Sequence, residues 1–148
     1  MPALITRRAP RSPDLDPRRV KRVCERMLAE LNLCDAELSV LLTDDSTMAA
    51  MNLEHRGKGR PTDVLAFPQH VPWPPPHPAQ GRLLLGDIVI SLDTAARQAS
   101  GRRRDLLAEV RLLLAHGILH LIGHDHDTRD KKRVMDRETR RLVRAAAV

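Results

Sequence analysis

Apolar side chains recur at Val20, Val23, Met27, Leu28 and Leu31, the three-and-four spacing of a single helical face. Asp16 stands at the N-cap position and Pro17 in the first turn, so a helix is expected over about 16–31. AELSVLLT then puts Leu38, Val40 and Leu42 at every second position and predicts a short strand. DDSTMAAMNLEHR returns to helical spacing behind a cluster of capping residues. DVLAF and LLGDIVIS are apolar runs of strand length, the second expected to be buried on both faces, and LDTAARQAS predicts a short helix. From about Asp105 to Ile122 the pattern is that of a long apolar helix closed by Gly123, and a basic helix follows from about Arg129 to Arg144.

Between the DVLAF and LLGDIVIS strands lies PQHVPWPPPHPAQG, residues 68–81, with six prolines. Such a run reads as an extended, polyproline-like surface loop inserted in a hairpin connection, with a proline-motif ligand for a partner domain as the alternative. Helices and strands are mixed rather than regularly alternated and the last third is helical, which predicts an α+β fold: one small mixed sheet packed with helices. At 148 residues the chain is expected to form a single domain over 1–148, with 1–15 irregular or a short edge strand.

Composition narrows the setting. Cys24 and Cys34 are ten residues apart, outside any paired spacing, so free thiols in a reducing cytosol are the simplest reading. The first twenty residues lack an apolar stretch of signal-peptide length and contain Asp14 and Asp16, so a cytoplasmic location is expected. VRLLLAHGILHLIG is too short to span a bilayer and is broken by His116 and His120, which argues against a membrane role.

Lysine and arginine outnumber aspartate and glutamate 25 to 19, and 21 of those cations are arginine, so an anionic partner fits. Residues 131–148 hold seven cations against Asp136 and Glu138. Arg133, Arg137, Arg140, Arg141 and Arg144 fall along one helical face there; Arg137 and Arg141 are candidate contacts for such a partner, and a solvated helix face is the competing explanation. Phe67 and Trp73 are the only Phe, Trp or Tyr residues, which excludes a base-stacking platform. Any nucleic acid would be held by its backbone.

The densest chemistry lies in HGILHLIGHDH, residues 116–126. His116 and His120 are four apart and share one face of consecutive helical turns. Gly123 permits the chain to turn back so that His126 can meet them, giving three imidazole nitrogens and an open fourth position, the arrangement of a catalytic zinc at the end of the long helix. His124 is open to three readings: a ligand, a proton carrier, or an exposed side chain. Asp125 and Asp127 are candidates to accept a ring proton from a ligating histidine, or plain loop carboxylates. The spacing is also that of metzincin proteases, but Gly117 replaces their glutamate and offers no base, which disfavours peptide hydrolysis. The glycine would leave room for substrate. A metal could still polarise a phosphoryl oxygen, so phosphodiester hydrolysis remains chemically reasonable.

HGILHLIGHDH resembles the signature HGxLHLxGxDH of the YbeY family of bacterial metalloproteins. HRGKGRPTDVLAFP, residues 55–68, is similar to that family's R-G-x-x-x-x-T-D-V-L-S-F-P segment, and LGDIVIS, residues 85–91, to its L-G-D-I-x-I-S block. The resemblance implies a zinc-dependent, single-strand-specific endoribonuclease that matures the 3′ end of small-subunit ribosomal RNA and takes part in ribosome quality control, with one zinc ion per chain in a basic cleft. It implies His116, His120 and His126 as metal ligands and Arg56 as the active arginine, with single-stranded ribosomal RNA and the small subunit or its assembly factors as partners and no DNA. Lys58 and Arg60 would help grip phosphate. The chain departs from the common pattern at His124, at Ala66 and in the proline-rich insertion. His124 matters most, as a proton shuttle or as a fourth ligand that closes the site. Asp87, inside an apolar strand, is expected to hold a loop by hydrogen bonds. The alternative function is a non-catalytic RNA-binding assembly factor with a metal-stabilised fold, and nickel or copper would also suit three histidines.

Overall fold

The computed structural model describes residues 3–10, 12–75 and 83–147. The first strand, β1 (Ala3–Arg8), is an edge strand, and α1 (Pro17–Glu30) follows it. The Asp16 carboxylate accepts the Arg18 N–H at 2.9 Å, Pro17 sits in the opening turn, and the predicted apolar stripe buries Val20, Val23, Cys24, Met27 and Leu28. Then come β2 (Glu37–Thr43), α2 (Asp45–Arg56), β3 (Val64–Pro68) and β4 (Leu84–Ser91). The chain ends in three helices, α3 (Leu92–Gly101), α4 (Leu106–Leu121) and α5 (Arg129–Ala145). The sheet order is β1-β2-β4-β3, parallel except for β3, which pairs antiparallel with β4, Val64 opposite Ile90. This is the α+β architecture expected: one mixed sheet packed with helices.

The period-two alternation of the strands sorts the core into two clusters. Leu38, Val40, Leu42, Ile88 and Ile90 pack with the buried residues of α1 and α4, whereas Leu65 and Val89, with Leu41 and Phe67, pack with Met48 and Met51 of α2. α2 and α4 therefore cover opposite faces, and β3 is the sheet edge beside both. α5 closes over α4 with Met135 and Leu142 buried.

Two carboxylates tie α2 to α3. Asp45 accepts Ser91 Oγ at 2.6 Å, Thr94 Oγ1 at 2.7 Å and Arg97 Nη2 at 2.8 Å. Asp93 accepts the Asp45 N–H at 3.0 Å and Ser12 Oγ at 2.6 Å. Burial alone would raise the Asp45 pKa, but these three donors outweigh it and hold the carboxyl below its ordinary value. Both acids also sit in first helical turns, where the peptide dipoles favour negative charge.

Three expectations change. β4 is buried on both faces only in its second half: Leu84 and Asp87 are exposed, whereas Leu85 between them is buried in the cluster with α1 and α4. Asp87 therefore holds no loop in place among the described residues. The proline-rich connection is not a uniform extended run where it is described, since residues 69–74 form bends and Trp73 packs on the core; its residues 76–81 lie outside the described residues, as do residues 1, 2 and 11. Cys24 is buried, its thiol pushed up to about 12 by desolvation, and Cys34 is exposed; both are free. Among the described residues no helix is long and apolar enough to cross a membrane.

Candidate active site

Close approach of α4 to the sheet sets the position of the histidines. Gly117 is buried against Ile88 of β4, and a β-carbon there would lie 2.8 Å from Ile88 Cδ1. The side of Gly117 on which a β-carbon would stand is thus filled by Ile88, while the residue itself also lines the histidine cavity, so packing accounts for the glycine without removing the room for substrate expected from the sequence. His116 and His120 flank this contact on successive turns. α4 then closes with a Schellman turn: His124 N–H donates to Leu119 O at 2.9 Å and Gly123 N–H to His120 O at 3.1 Å, with Gly123 at φ +95°. A β-carbon at Gly123 would also meet Trp73 Cβ at 3.2 Å.

Beyond that turn the chain doubles back. His126 reaches the same cavity as His116 and His120, a space of about 520 Å³. Its ring lies edge-on to His120, with centroids 5.5 Å apart. Two imidazoles sharing one tetrahedral ion, with bonds of roughly 2.0–2.1 Å, have ring centres about 5 Å apart, so this pair suits a common metal. Among the described residues no three His, Cys, Asp or Glu side chains converge as a ready-made centre; His116 lines the cavity without joining the close pair. The donor set fits in kind, because burial lowers the pKa of both His116 and His120. For His120 the neighbouring His126 adds to the lowering, whereas at His116 Asp63 and Asp136 oppose it. Neutral imidazole is the form that binds metal.

Arg56 enters from the opposite face of the sheet. It is the last residue of α2, which Gly57 closes at φ +71°, and its side chain crosses the β3 edge to line the histidine cavity. Its charge further depresses the His120 pKa, behind burial and the neighbouring imidazole. No salt bridge to Glu54 or another described acid engages it. Thr62 and Asp63, before β3, and Lys132 and Asp136, on α5, also line the cavity. None of these four was singled out from the sequence. Thr62 and Asp63 lie in the quoted TDVLAFP block and could have been, whereas Lys132 and Asp136 carry no signal that separates them from a solvated i,i+4 pair.

Other candidates are not brought to the cavity. Lys58 and Arg60 are exposed on the loop after α2, where buried Asn52 holds the Arg60 carbonyl through Nδ2 at 2.9 Å. His124 lines a separate groove with Asp130, Lys131 and Val134, because the turn that returns His126 faces His124 the other way. Asp125 accepts the backbone N–H of His126 at 2.7 Å rather than a ring proton, and Asp127 makes a solvent-exposed pair with Lys131 at 3.5 Å. Arg137 is exposed outside the cavity, and Arg141 pairs with Glu30 at 3.2 Å and Glu138 at 3.0 Å.

The fold and cavity define a small α+β protein in which an arginine from one side of the sheet faces a histidine cluster from the other. Residues 11–147 match the family model described as Endoribonuclease YbeY, and the chain belongs to the YbeY family. The Endoribonuclease YbeY of Anaeromyxobacter sp. (strain Fw109-5) is 48% identical over 128 residues, covering 86% of this chain and 64% of that one. That of Sulfurihydrogenibium sp. (strain YO3AOP1) is 45% identical over 112 residues, covering 76% of this chain and 70% of the relative. The chain thus spans a little under two thirds of the Anaeromyxobacter relatives it matches, at 64% and 63% of their lengths. A solution structure of a Thermotoga maritima protein matches with a TM-score of 0.64 at 21% identity, over 97% of this chain and 89% of that one, a likeness of fold.

Proposed function

We propose that this protein is a cytoplasmic, zinc-dependent, single-strand-specific endoribonuclease that matures the 3′ end of small-subunit ribosomal RNA and serves ribosome quality control in contact with the small subunit or its assembly factors. The observation that carries the reading is the meeting of Arg56 with His116, His120 and His126 around one cavity. A single zinc ion held by the three imidazoles would supply Lewis acidity toward water and a phosphoryl oxygen. The chain's own residues do the rest. Arg56 presents a permanently charged, planar donor to the phosphate and stabilises the negative charge that grows on its oxygens at the transition state. Burial lowers the pKa of His116 and His120 and so favours the neutral form that can act as a ligand. Lys58 and Arg60, on the loop continuous with Arg56, add attraction for the strand outside the cavity.

Gly117 excludes the glutamate-assisted peptidase route on packing as well as chemistry, since the position lacks both a base and the space for one. The test is cleavage of single-stranded RNA by metal-loaded protein beside His120→Ala and Arg56→Ala. Loss in both variants supports the reading, and equal cleavage by all three would expose a contaminating nuclease. RNA binding without cleavage in the wild type would favour a non-catalytic assembly factor.

A further inference from the structure

The cations of α5 lie on two edges of the helix, and one edge meets the cavity. Lys132 and Asp136 line the histidine cavity, and the same two side chains line a groove of about 270 Å³ that continues between Arg129, Arg133 and Arg140. Helix geometry accounts for the continuity: these five positions follow at i, i+3, i+4, i+7 and i+11, a single stripe. Arg137 and Arg141 fall on the neighbouring stripe, outside the groove, with Arg141 committed to Glu30 and Glu138.

Charge along the groove is one-sided. Four cations face one carboxylate, and that carboxylate, Asp136, is held by Lys132 Nζ at 2.8 Å. Arg129, Arg133 and Arg140 are exposed and form no salt bridge among the described residues. Arg133 and Arg140 are seven residues apart, about 10 Å along the axis, so they can address successive parts of one polyanion. The guanidinium fork suits phosphate oxygens, and no aromatic side chain lines the groove to offer a base-stacking platform.

We propose that this stripe is the track for the sugar-phosphate backbone of single-stranded RNA leaving the histidine cavity, with Arg133 and Arg140 as its phosphate contacts. The proposal rests on the nuclease reading only for what occupies the cavity. It assigns RNA to the edge of α5 that adjoins the histidines and not to Arg137 and Arg141.

The experiment is fluorescence anisotropy of a labelled single-stranded RNA with the full chain, as a function of salt, comparing R133Q/R140Q with the charge-matched R137Q/R141Q. At about 0.7 counterions released per phosphate contact on a single strand, losing two contacts should flatten the log–log salt slope by about 1.4 and weaken binding roughly 10- to 30-fold at 0.1 M salt. R137Q/R141Q should stay within about twofold of wild type, and R133K/R140K should recover most of the loss, because the term is mainly Coulombic. Unchanged affinity in R133Q/R140Q, or an equal loss in both glutamine pairs, overturns the track. The two readings fail separately: binding that depends on the stripe in a protein that never cuts RNA keeps the track and removes the nuclease, whereas cleavage with no dependence on the stripe does the reverse.

Discussion

Gly117 and Ile88 are in direct opposition across the interface of α4 with the sheet: a methyl on Gly117 would come within 2.8 Å of Ile88 Cδ1 and 3.1 Å of Cγ1 and Cγ2. Overpacking a filled core costs about 1–3 kcal/mol, and alanine's better helix propensity returns about 1 kcal/mol. Gly117→Ala should therefore lose up to about 2 kcal/mol in urea unfolding. Ile88→Val removes Cδ1, so the double variant should be more stable than the sum of the two singles. Strict additivity would mean that the two sites do not touch.

Gly123→Ala tests the turn that delivers His126. The backbone is left-handed at φ +95°, and the added methyl would press on Trp73 Cβ, so the turn must shift. Stability should fall by about 1–2 kcal/mol. Zinc affinity, read by competition with a chromophoric chelator, should fall at least about tenfold, as when a group that orients a ligand is lost. Undiminished affinity would show that His126 does not need this turn.

Replacing His120 with alanine should abolish stoichiometric zinc in elemental analysis and, with it, RNA cleavage. Arg56→Ala should retain the zinc and lose about 10²- to 10³-fold in kcat, the scale for removing one charge-stabilising donor. His124→Ala should keep zinc content and hold cleavage within a few-fold of wild type, since its side chain lines a different groove. A large loss of activity in His124→Ala with zinc retained would restore the proton-carrier role.

Asp45 gives stability a dependence on pH with a definite sign. Its pKa is lowered in the folded protein, because donors from Ser91, Thr94 and Arg97 outweigh the opposing effect of burial. The folded state therefore prefers the ionised acid. That contribution is fully present above the unfolded carboxyl value of about 3.9 and is lost as pH falls through the lower, folded value. Asp45→Asn should cost on the order of 2 kcal/mol at pH 7, the scale of hydrogen bonds to a charged group. The gap between variant and wild type should narrow below about pH 4 in urea titrations. A gap that is the same at pH 7 and pH 3 would assign the effect to shape rather than charge.

Much of the architecture was legible because it is local. Asp16, Asp44, Ser91, Asp105 and Thr128 each cap the helix that follows them. The apolar spacing of α1 and the alternation of β2 carry over directly into buried faces. The pair His116 and His120 needed only the helical repeat, and Gly123 announced the turn that follows. Side-chain direction after a turn and exposure along a strand were not legible: of the three readings open for His124 the structure puts its side chain in a separate groove, and Asp87, expected to hold a loop, is in solvent.

By itself, then, the sequence determined the elements, the family and the identity of the histidine cluster, because caps, periodicity and short motifs act over a few residues. Tertiary structure alone decided that Gly117 serves the packing of α4 on Ile88, and that Arg56 crosses from the far face of the sheet to the histidines. It also decided which edge of α5 carries Lys132 and Asp136 to the cavity. Those outcomes depend on how closely a helix approaches the sheet and how it is rotated about its axis, which is set by side chains far apart in the chain filling one volume.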